Sequence, residues 1–253
     1  MILAVDIGNT NVVFGGFEDD NLVFTARVST DPGGTDDEYA VKLRSALAIH
    51  RVDHLPVTGA IVSSVVPTLN RVIDGALKTL FDVTPITVGP GVKTGINIRC
   101  DTPSSVGSDI ICACVAAQQI YGAPALVVDF GTATKLMVVN ESGSFIGVSI
   151  CPGVMMGLNA LAEQTAQLPK VSPEAPALTV AKNTADSVKS GVIFGHAAMI
   201  DGMIDRICAE VGALPVYATG GMASLILPHC VHPITQDEHL VLKGLNLLYR
   251  KNS

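Results

Sequence analysis

A short pattern occurs twice in the chain and restricts what the chain can fold into. Asp6-Ile7-Gly8-Asn9-Thr10 and Asp129-Phe130-Gly131-Thr132 each place a carboxylate, then a glycine two residues on, then a threonine, directly after an apolar run. The two aspartates lie 123 residues apart in a chain of 253 residues. Because two further β-rich runs follow each copy, the matching context predicts an internal duplication rather than a chance repeat.

Apolar spacing predicts strands and helices on both sides of this repeat. Runs bounded by turn residues predict strands, and apolar side chains at helical spacing predict helices. Strands are expected at 1–5, 12–17, 22–28, 59–65, 85–88, 125–128, 136–139 and 144–150, and helices at 36–49, 67–81, 110–120, 156–166 and 183–210. The domain boundary is predicted before Pro124, which gives an N-terminal half at 1–123 and a C-terminal half at 124–253, with the helix at 110–120 between them.

Composition excludes several classes of protein. Hydrophobic residues make up 48% of the chain and charged residues 15%, which excludes an intrinsically disordered chain. The formal net charge of −7 without a cluster of basic residues argues against nucleic acid as a partner. No apolar run approaches the roughly 18 residues of a membrane span, and no basic leader precedes the first strand, so we expect no membrane partner and a cytoplasmic location.

Both turns carry residues suited to binding phosphate. A glycine lets the backbone approach a ligand closely, hydroxyl and amide side chains donate hydrogen bonds to phosphate oxygens, and a carboxylate can hold a metal ion. Two ordinary β-turns are the alternative, but their repetition at the same point of a strand pattern favours phosphate loops facing one cleft. A third glycine pair, Gly220-Gly221, follows an apolar strand and either lies against a flat ligand or merely connects the strand to a helix.

Further motifs extend along nearly the whole chain and together carry a resemblance. In chain order they are Asp6-Ile7-Gly8-Asn9-Thr10-Asn11, Pro103-x-x-Val106-Gly107-Ser108-Asp109, Asp129-Phe130-Gly131-Thr132-Ala133-Thr134, Pro152-Gly153 and Thr219-Gly220-Gly221. With these motifs the chain resembles type III pantothenate kinase. The resemblance implies an α/β fold of duplicated ribonuclease-H-like (actin-like ATPase) halves, each a mixed five-stranded sheet with helices. It also implies ATP-dependent phosphorylation of pantothenate, the first step of coenzyme A biosynthesis, by a homodimer.

The same resemblance assigns roles to individual residues. Asp109 is implied as the general base, Asp129 as the holder of a monovalent cation (potassium or ammonium), and Asp6 as the organiser of magnesium, directly or through water. Contacts with ATP and its phosphates are implied for Asp6, Ile7, Gly8, Asn9, Thr10, Asn11, Val12, Val13, Gly131, Thr132, Gly220 and Gly221. Contacts with pantothenate are implied for Gly107, Ser108, Asp109, Ile110 and Thr184.

Asp109 also has a purely structural interpretation. Ser108-Asp109 precedes the apolar run that starts at Ile110, and such residues suit a helix N-cap. Both interpretations of Asp109 can hold together.

Two positions depart from the family pattern. Ile110 stands where the family has an arginine, so a guanidinium able to bind substrate oxygens is replaced by an apolar side chain. Lys135 stands where the second motif has a threonine, and its ammonium could pair with phosphate, replace the lost positive charge or block the site. These departures leave two alternatives beside an active pantothenate kinase: a kinase with another small hydroxyl substrate, and a non-catalytic nucleotide-binding or regulatory protein.

Overall fold

The computed structural model describes residues 1–253 and divides the chain into two compact units. The first unit comprises residues 1–120 and 240–253, and the second comprises residues 121–239. The strands are β1 (Ile2–Ile7), β2 (Asn11–Glu18), β3 (Asn21–Ser29), β4 (Gly59–Ser64), β5 (Ile86–Thr87), β6 (Asn97–Ile98), β7 (Ala125–Phe130), β8 (Ala133–Val139), β9 (Ser144–Pro152), β10 (Val216–Thr219) and β11 (Thr235–Gln236). The helices are α1 (Asp36–Ile49), α2 (Asn70–Phe81), α3 (Ser108–Tyr121), α4 (Val154–Glu163), α5 (Thr184–Val211), α6 (Ala223–Ile226) and α7 (Leu240–Asn252). The predicted α/β class is confirmed.

The first unit is built on a mixed sheet in the order β3-β2-β1-β4-β5. β1 pairs antiparallel with β2 and parallel with β4, so the pattern that begins at Asp6 lies at the end of the central strand. One sheet face contributes Leu3, Val5 and Ile7 to a core shared with α1 and α2. The capping box of α1, in which the Thr35 side chain accepts from the Glu38 backbone N–H, starts that helix where the sequence predicts it.

The other face of this sheet carries α7. Gly15 lies opposite Ala4 in the register, and a Cβ at Gly15 would lie 2.9 Å from Leu242 Cδ1. A Cβ at Gly59 would likewise come within 2.6 Å of Tyr249 Cζ. Since side chains alternate across a strand, the two glycines open the face opposite the α1–α2 core, and α7 packs closely there.

The second unit repeats this arrangement. The second sheet has six strands, one more than the five predicted. The strands of this unit follow the order β11-β10-β7-β8-β9, with β7 antiparallel to β8 and parallel to β10. Leu126, Val128 and Phe130 form a core with α4, α5 and α6. Strand by strand, β7, β8, β9, β10 and β11 correspond to β1, β2, β3, β4 and β5, which is the duplication that the repeated pattern predicts.

Helix α5 is the longest element of the second unit. The 28 residues of Thr184–Val211 start after Asn183, whose side chain accepts from the Asp186 backbone N–H. At 1.5 Å per residue the helix is about 42 Å long. Even so, no helix of this protein combines the length and the apolar character that crossing a bilayer would require.

The C-terminal boundary differs from the prediction. The predicted second half, 124–253, includes residues 240–253, but these belong to the first unit. The reason is packing: Gly244 lies against the backbone of Cys112 in α3, where a Cβ would lie 2.6 Å from the Cys112 carbonyl carbon. The chain therefore returns to the first unit after completing the second, and α3 up to Ile120 belongs to the first unit rather than serving as a separate hinge.

A buried hydrogen bond fixes α5 to the sheet of the second unit. Thr134 Oγ1 and His196 Nε2 lie 3.0 Å apart, and both side chains are buried. Desolvation by burial lowers the pKa of His196 from its ordinary value near 6.5. The imidazole is therefore neutral in the folded protein at neutral pH, and Thr134 serves packing rather than phosphate binding.

This buried imidazole should make the stability of the protein fall in mild acid. Below the ordinary histidine pKa the unfolded chain takes up a proton that folded His196 resists, so the free energy of unfolding decreases as the pH falls. His196→Asn removes the titration and keeps a hydrogen-bonding side chain, so its urea midpoint should drop less than the wild-type midpoint between pH 7.5 and pH 5.5. His54→Asn, at an exposed position, is the control and should retain the wild-type drop. Equal drops in His196→Asn and wild type would contradict the assignment.

Candidate active site

The turn between β1 and β2 is held by backbone hydrogen bonds. Gly8 N donates to Asn11 O at 3.0 Å, and Thr30 N donates to Thr10 O at 3.0 Å. The hydroxyl of Thr30 also donates to Gly8 O at 2.6 Å. A Cβ at Gly8 would lie 3.1 Å from Asn11 O, so any larger residue would crowd the turn.

The side chains in and around the first turn fall into an exposed group and a buried group. Asn9 and Thr10 are exposed, while Ile7 and Val12 are fully buried in the core of the first unit. Ile7 and Val12 can therefore contact a phosphate only through their backbone groups. Val13, on the strand that follows, is half-buried.

Two predicted site carboxylates lie near one buried thiol. Burial raises the pKa of Cys112 well above its ordinary value, and the negative charges of Asp6 and then Asp109 raise it further. Asp6 is the last residue but one of the central strand, and Asp109 lies in the first turn of α3, so the charges of two residues 103 positions apart in sequence both act on this thiol.

Helix α3 is attached to the end of β4 by serine hydroxyls. Ser63 Oγ and Ser108 Oγ lie 3.0 Å apart, and both side chains are buried. Ser64 N donates to Ser108 Oγ at 3.0 Å, and Ser108 Oγ donates to Ser64 O at 3.1 Å. Since β4 is the neighbour of β1, these bonds set the start of α3 beside the strand that carries Asp6. The Ser108 side chain is thus used in positioning the helix.

The Asp109 carboxylate folds back over its own helix start. Its Oδ1 accepts from the Ile110 backbone N–H at 2.8 Å. A Cβ at Gly107 would lie 2.6 Å from this oxygen, so a larger residue there would displace the carboxylate. Asp109 is the second residue of α3 and not its N-cap, although its carboxylate does satisfy one N–H of the first turn. Ile110 is buried, so its side chain is in the core.

Two glycines pack against the turn between β7 and β8. A Cβ at Gly153 would collide with the carbonyl oxygen of Thr132 and lie 2.8 Å from that of Gly131. Gly220 has a φ of +93°, and a Cβ there would lie 2.6 Å from Asp129 Oδ1. Close packing of these backbones leaves Thr132 exposed at the tip of the turn. Gly220 is therefore fixed both by its backbone conformation and by the carboxylate beside it.

An ion pair occupies the carboxylate of the second turn. Lys135 Nζ lies 2.9 Å from Asp129 Oδ2, and the two side chains are only 15% and 14% exposed. The resemblance implies a monovalent cation at Asp129, and the structure instead has an ammonium group of the chain itself at that carboxylate. The residues present therefore do not fit a bound potassium or ammonium ion there.

The predicted substrate residue Thr184 is the exposed first residue of α5. Further along the same helix an open cavity of about 490 Å³ is lined by Ser187, Ser190 and Phe194 on α5 and by Thr179 and Ala181 before it. Thr184 does not line this cavity. Gly221 is exposed after Gly220.

Sequence reasoning missed Thr30 and Ser63. Both place a hydroxyl where it fixes a site element, at the turn after Asp6 and at the start of α3 respectively. Neither stands in a motif, and each is distant in sequence from the residue that it positions. Only the register of the strands could have indicated them.

The family model and the curated relatives agree on one family. The family model for type III pantothenate kinase matches residues 2–206. A type III pantothenate kinase from Halalkalibacterium halodurans is 42% identical over 253 residues, covering 100% of both chains. One from Geotalea daltonii is 40% identical over 253 residues, covering 100% of this chain and 99% of the other.

A solved structure supports the fold alone. The inorganic polyphosphate/ATP-glucomannokinase from Arthrobacter sp. strain KM superposes with a TM-score of 0.53 at 16% identity, covering 99% of this chain and 98% of that one. At this identity the likeness shows only that the two chains share a fold. With the family model matched over most of the chain and relatives matched over their full length, this chain belongs to the type III pantothenate kinase family.

Proposed function

We propose that the protein transfers the γ-phosphoryl group of ATP to the primary hydroxyl of pantothenate, giving 4'-phosphopantothenate and ADP. Besides family membership, the observation that carries the proposal is that the Ser108 hydrogen bonds to β4 set the start of α3, and with it Asp109, beside the strand that carries Asp6. A phosphate-binding turn and a candidate base thus belong to the same unit. This reaction is the first step of coenzyme A biosynthesis.

The first turn binds the ATP phosphates. The exposed Asn9 and Thr10 donate side-chain hydrogen bonds, and Gly8 lets the backbone come close to a phosphate oxygen. Asn11 and Val13 flank the turn and complete its backbone contacts. Because phosphoryl transfer needs little covalent work from the protein, positioning and charge stabilisation are the turn's contribution to the rate.

Asp109 acts as the general base. As the pantothenate hydroxyl oxygen bonds to the γ-phosphorus, the bond from that phosphorus to the bridging oxygen breaks, and ADP leaves with the electron pair. The hydroxyl proton passes to the Asp109 carboxylate. Gly107 gives this carboxylate room to fold back over the helix start, and Ser108 holds the helix on β4.

Asp6 of the first unit suits a magnesium ion. Its carboxylate oxygens are the ligand type that Mg²⁺ takes, directly or through water. A magnesium ion bound with ATP would neutralise part of the negative charge of the phosphates.

The second unit contributes further contacts. Gly131 and Thr132 of its turn, together with Gly220 and Gly221, contact ATP in this proposal. Thr184, exposed at the start of α5, contacts pantothenate.

No finding favours the two alternatives raised by Ile110 and Lys135. The buried Ile110 side chain is part of the core, and the curated relatives aligned over the full chain carry the kinase name. The proposed assembly into a homodimer rests on the family resemblance, and the proposed cytoplasmic location rests on the sequence expectations given above. Light scattering on the purified protein tests the dimer, which should give twice the 26.3 kDa of one chain.

The central experiment measures ADP release by the purified protein with ATP and Mg²⁺, with and without pantothenate. Pantothenate should increase the rate of ADP release. Release that pantothenate does not change would contradict the proposed substrate, and absence of release would contradict a kinase.

Asp109→Asn should lower kcat/KM by about 10²- to 10⁴-fold, because the amide cannot accept the hydroxyl proton. The variant keeps the side-chain oxygen that accepts from the Ile110 N–H, so its thermal midpoint should stay near wild type. Asp101→Asn makes the same change at an exposed position and serves as the matched control. An Asp109→Asn rate within threefold of wild type would exclude Asp109 as the base.

Gly8→Ala should raise the KM for ATP about tenfold with a smaller effect on the KM for pantothenate. The new methyl group crowds Asn11 O and displaces the backbone from the phosphates, at the cost of about one hydrogen bond. Gly89→Ala adds a methyl group in the same unit where it meets nothing within 4 Å, and its ATP KM should not change. If both variants bound ATP as wild type does, the first turn would not be the phosphate site.

A further inference from the structure

The ion pair between Lys135 and Asp129 is fixed by the sheet. Asp129 lies on β7 directly opposite Lys135 on β8. Opposite residues of an antiparallel pair have Cβ atoms about 4.5–5.5 Å apart on the same face, so the lysine side chain meets the carboxylate over a short distance. With both groups mostly withdrawn from solvent, removing the ammonium would leave a poorly solvated negative charge.

The fold itself does not require a lysine at this place. In the first unit the corresponding aspartate is Asp6, and the residue opposite it on β2 is Val13. The same strand pair is thus built with an apolar residue in one unit and with a cation in the other. The presence of a lysine at position 135 is therefore explained by the charge of Asp129, because the hairpin forms equally well with an apolar residue at the corresponding position.

The carboxylate that Lys135 meets lies within the second turn. Asp129 Oδ1 is packed beside Gly220, and both Asp129 oxygens come within 3.4 to 3.5 Å of a Cβ position at Gly131. An ammonium group carries one positive charge and three hydrogen-bond donors, which makes it the protein's nearest equivalent to a free ammonium or potassium ion. It therefore supplies the charge of a monovalent cation at this turn.

We propose that Lys135 is a built-in replacement for a monovalent cation at Asp129, so that this kinase works without added potassium or ammonium. The inference rests on the proposed function and deepens it. A tethered cation has an effective concentration of the order of millimolar or more, whatever the medium contains. The ammonium group therefore neutralises Asp129 without an ion from solution. Lys135 is a positioning residue, which neutralises Asp129 and keeps the second turn in place.

The test compares KCl with choline chloride at equal ionic strength. Wild-type turnover should change less than twofold between the two salts. Lys135→Thr should be at least tenfold slower in choline chloride and should recover in KCl or NH₄Cl, because the small ion can then enter beside Asp129. Lys135→Met, which keeps the apolar stem and lacks the charge, is the second variant if the threonine variant folds poorly.

Thermal denaturation gives a readout that does not depend on turnover. The midpoint of Lys135→Thr should be higher in KCl than in choline chloride, while the wild-type midpoint should be the same in both. Lys189→Thr removes another lysine–carboxylate ion pair of the second unit, that with Glu174, and should show no preference for potassium.

The outcomes separate this inference from the proposed function. Wild-type turnover that falls tenfold without potassium would overturn the inference while supporting the kinase. A Lys135→Thr midpoint indifferent to potassium would also overturn it. No pantothenate-dependent turnover in any salt would contradict the proposed function, and the thermal comparison would still decide the role of Lys135.

Discussion

In each unit, the positions of the core and of the turn residues depend on the register of one antiparallel strand pair. A central strand is bonded antiparallel to the strand that follows it and parallel to a strand from later in the chain, and its last residue but one is an aspartate, two residues before a glycine. The parallel neighbour orients the next elements, since β4 carries the serines that hold the start of α3. A slip of one residue would turn every side chain of the strand to the opposite face. Core and site therefore depend on the same pairing.

The two units use this scaffold differently. In the first, the residue opposite the aspartate is the apolar Val13. In the second, the opposite residue is Lys135, and the carboxylate of Asp129 is neutralised within the chain. Duplication thus gives two similar turns that differ in charge, because only the second has a lysine opposite its aspartate.

Much of the fold could be predicted from local pattern, because strand and helix periodicity and turn residues are local properties. The helix at 36–49 and the repeated strands are examples. Local pattern could not predict that α7 belongs to the first unit. That membership depends on the fit of Gly244 against Cys112, which lies more than 130 residues earlier in the sequence. Thr134 has the chemistry of a phosphate ligand in the sequence, but its burial against His196 removes it from that role. Local pattern reveals which chemistry a residue offers, and tertiary packing decides whether the residue can use it.

Direct identification of the reaction product tests the central claim most sharply. Phosphorus NMR and mass spectrometry on a mixture of the purified protein, ATP, Mg²⁺ and pantothenate would follow where the γ-phosphoryl group goes. The account predicts one phosphate monoester on the primary hydroxyl of pantothenate, formed in equal amount with ADP. Inorganic phosphate and ADP without the ester, or unchanged ATP, would contradict it.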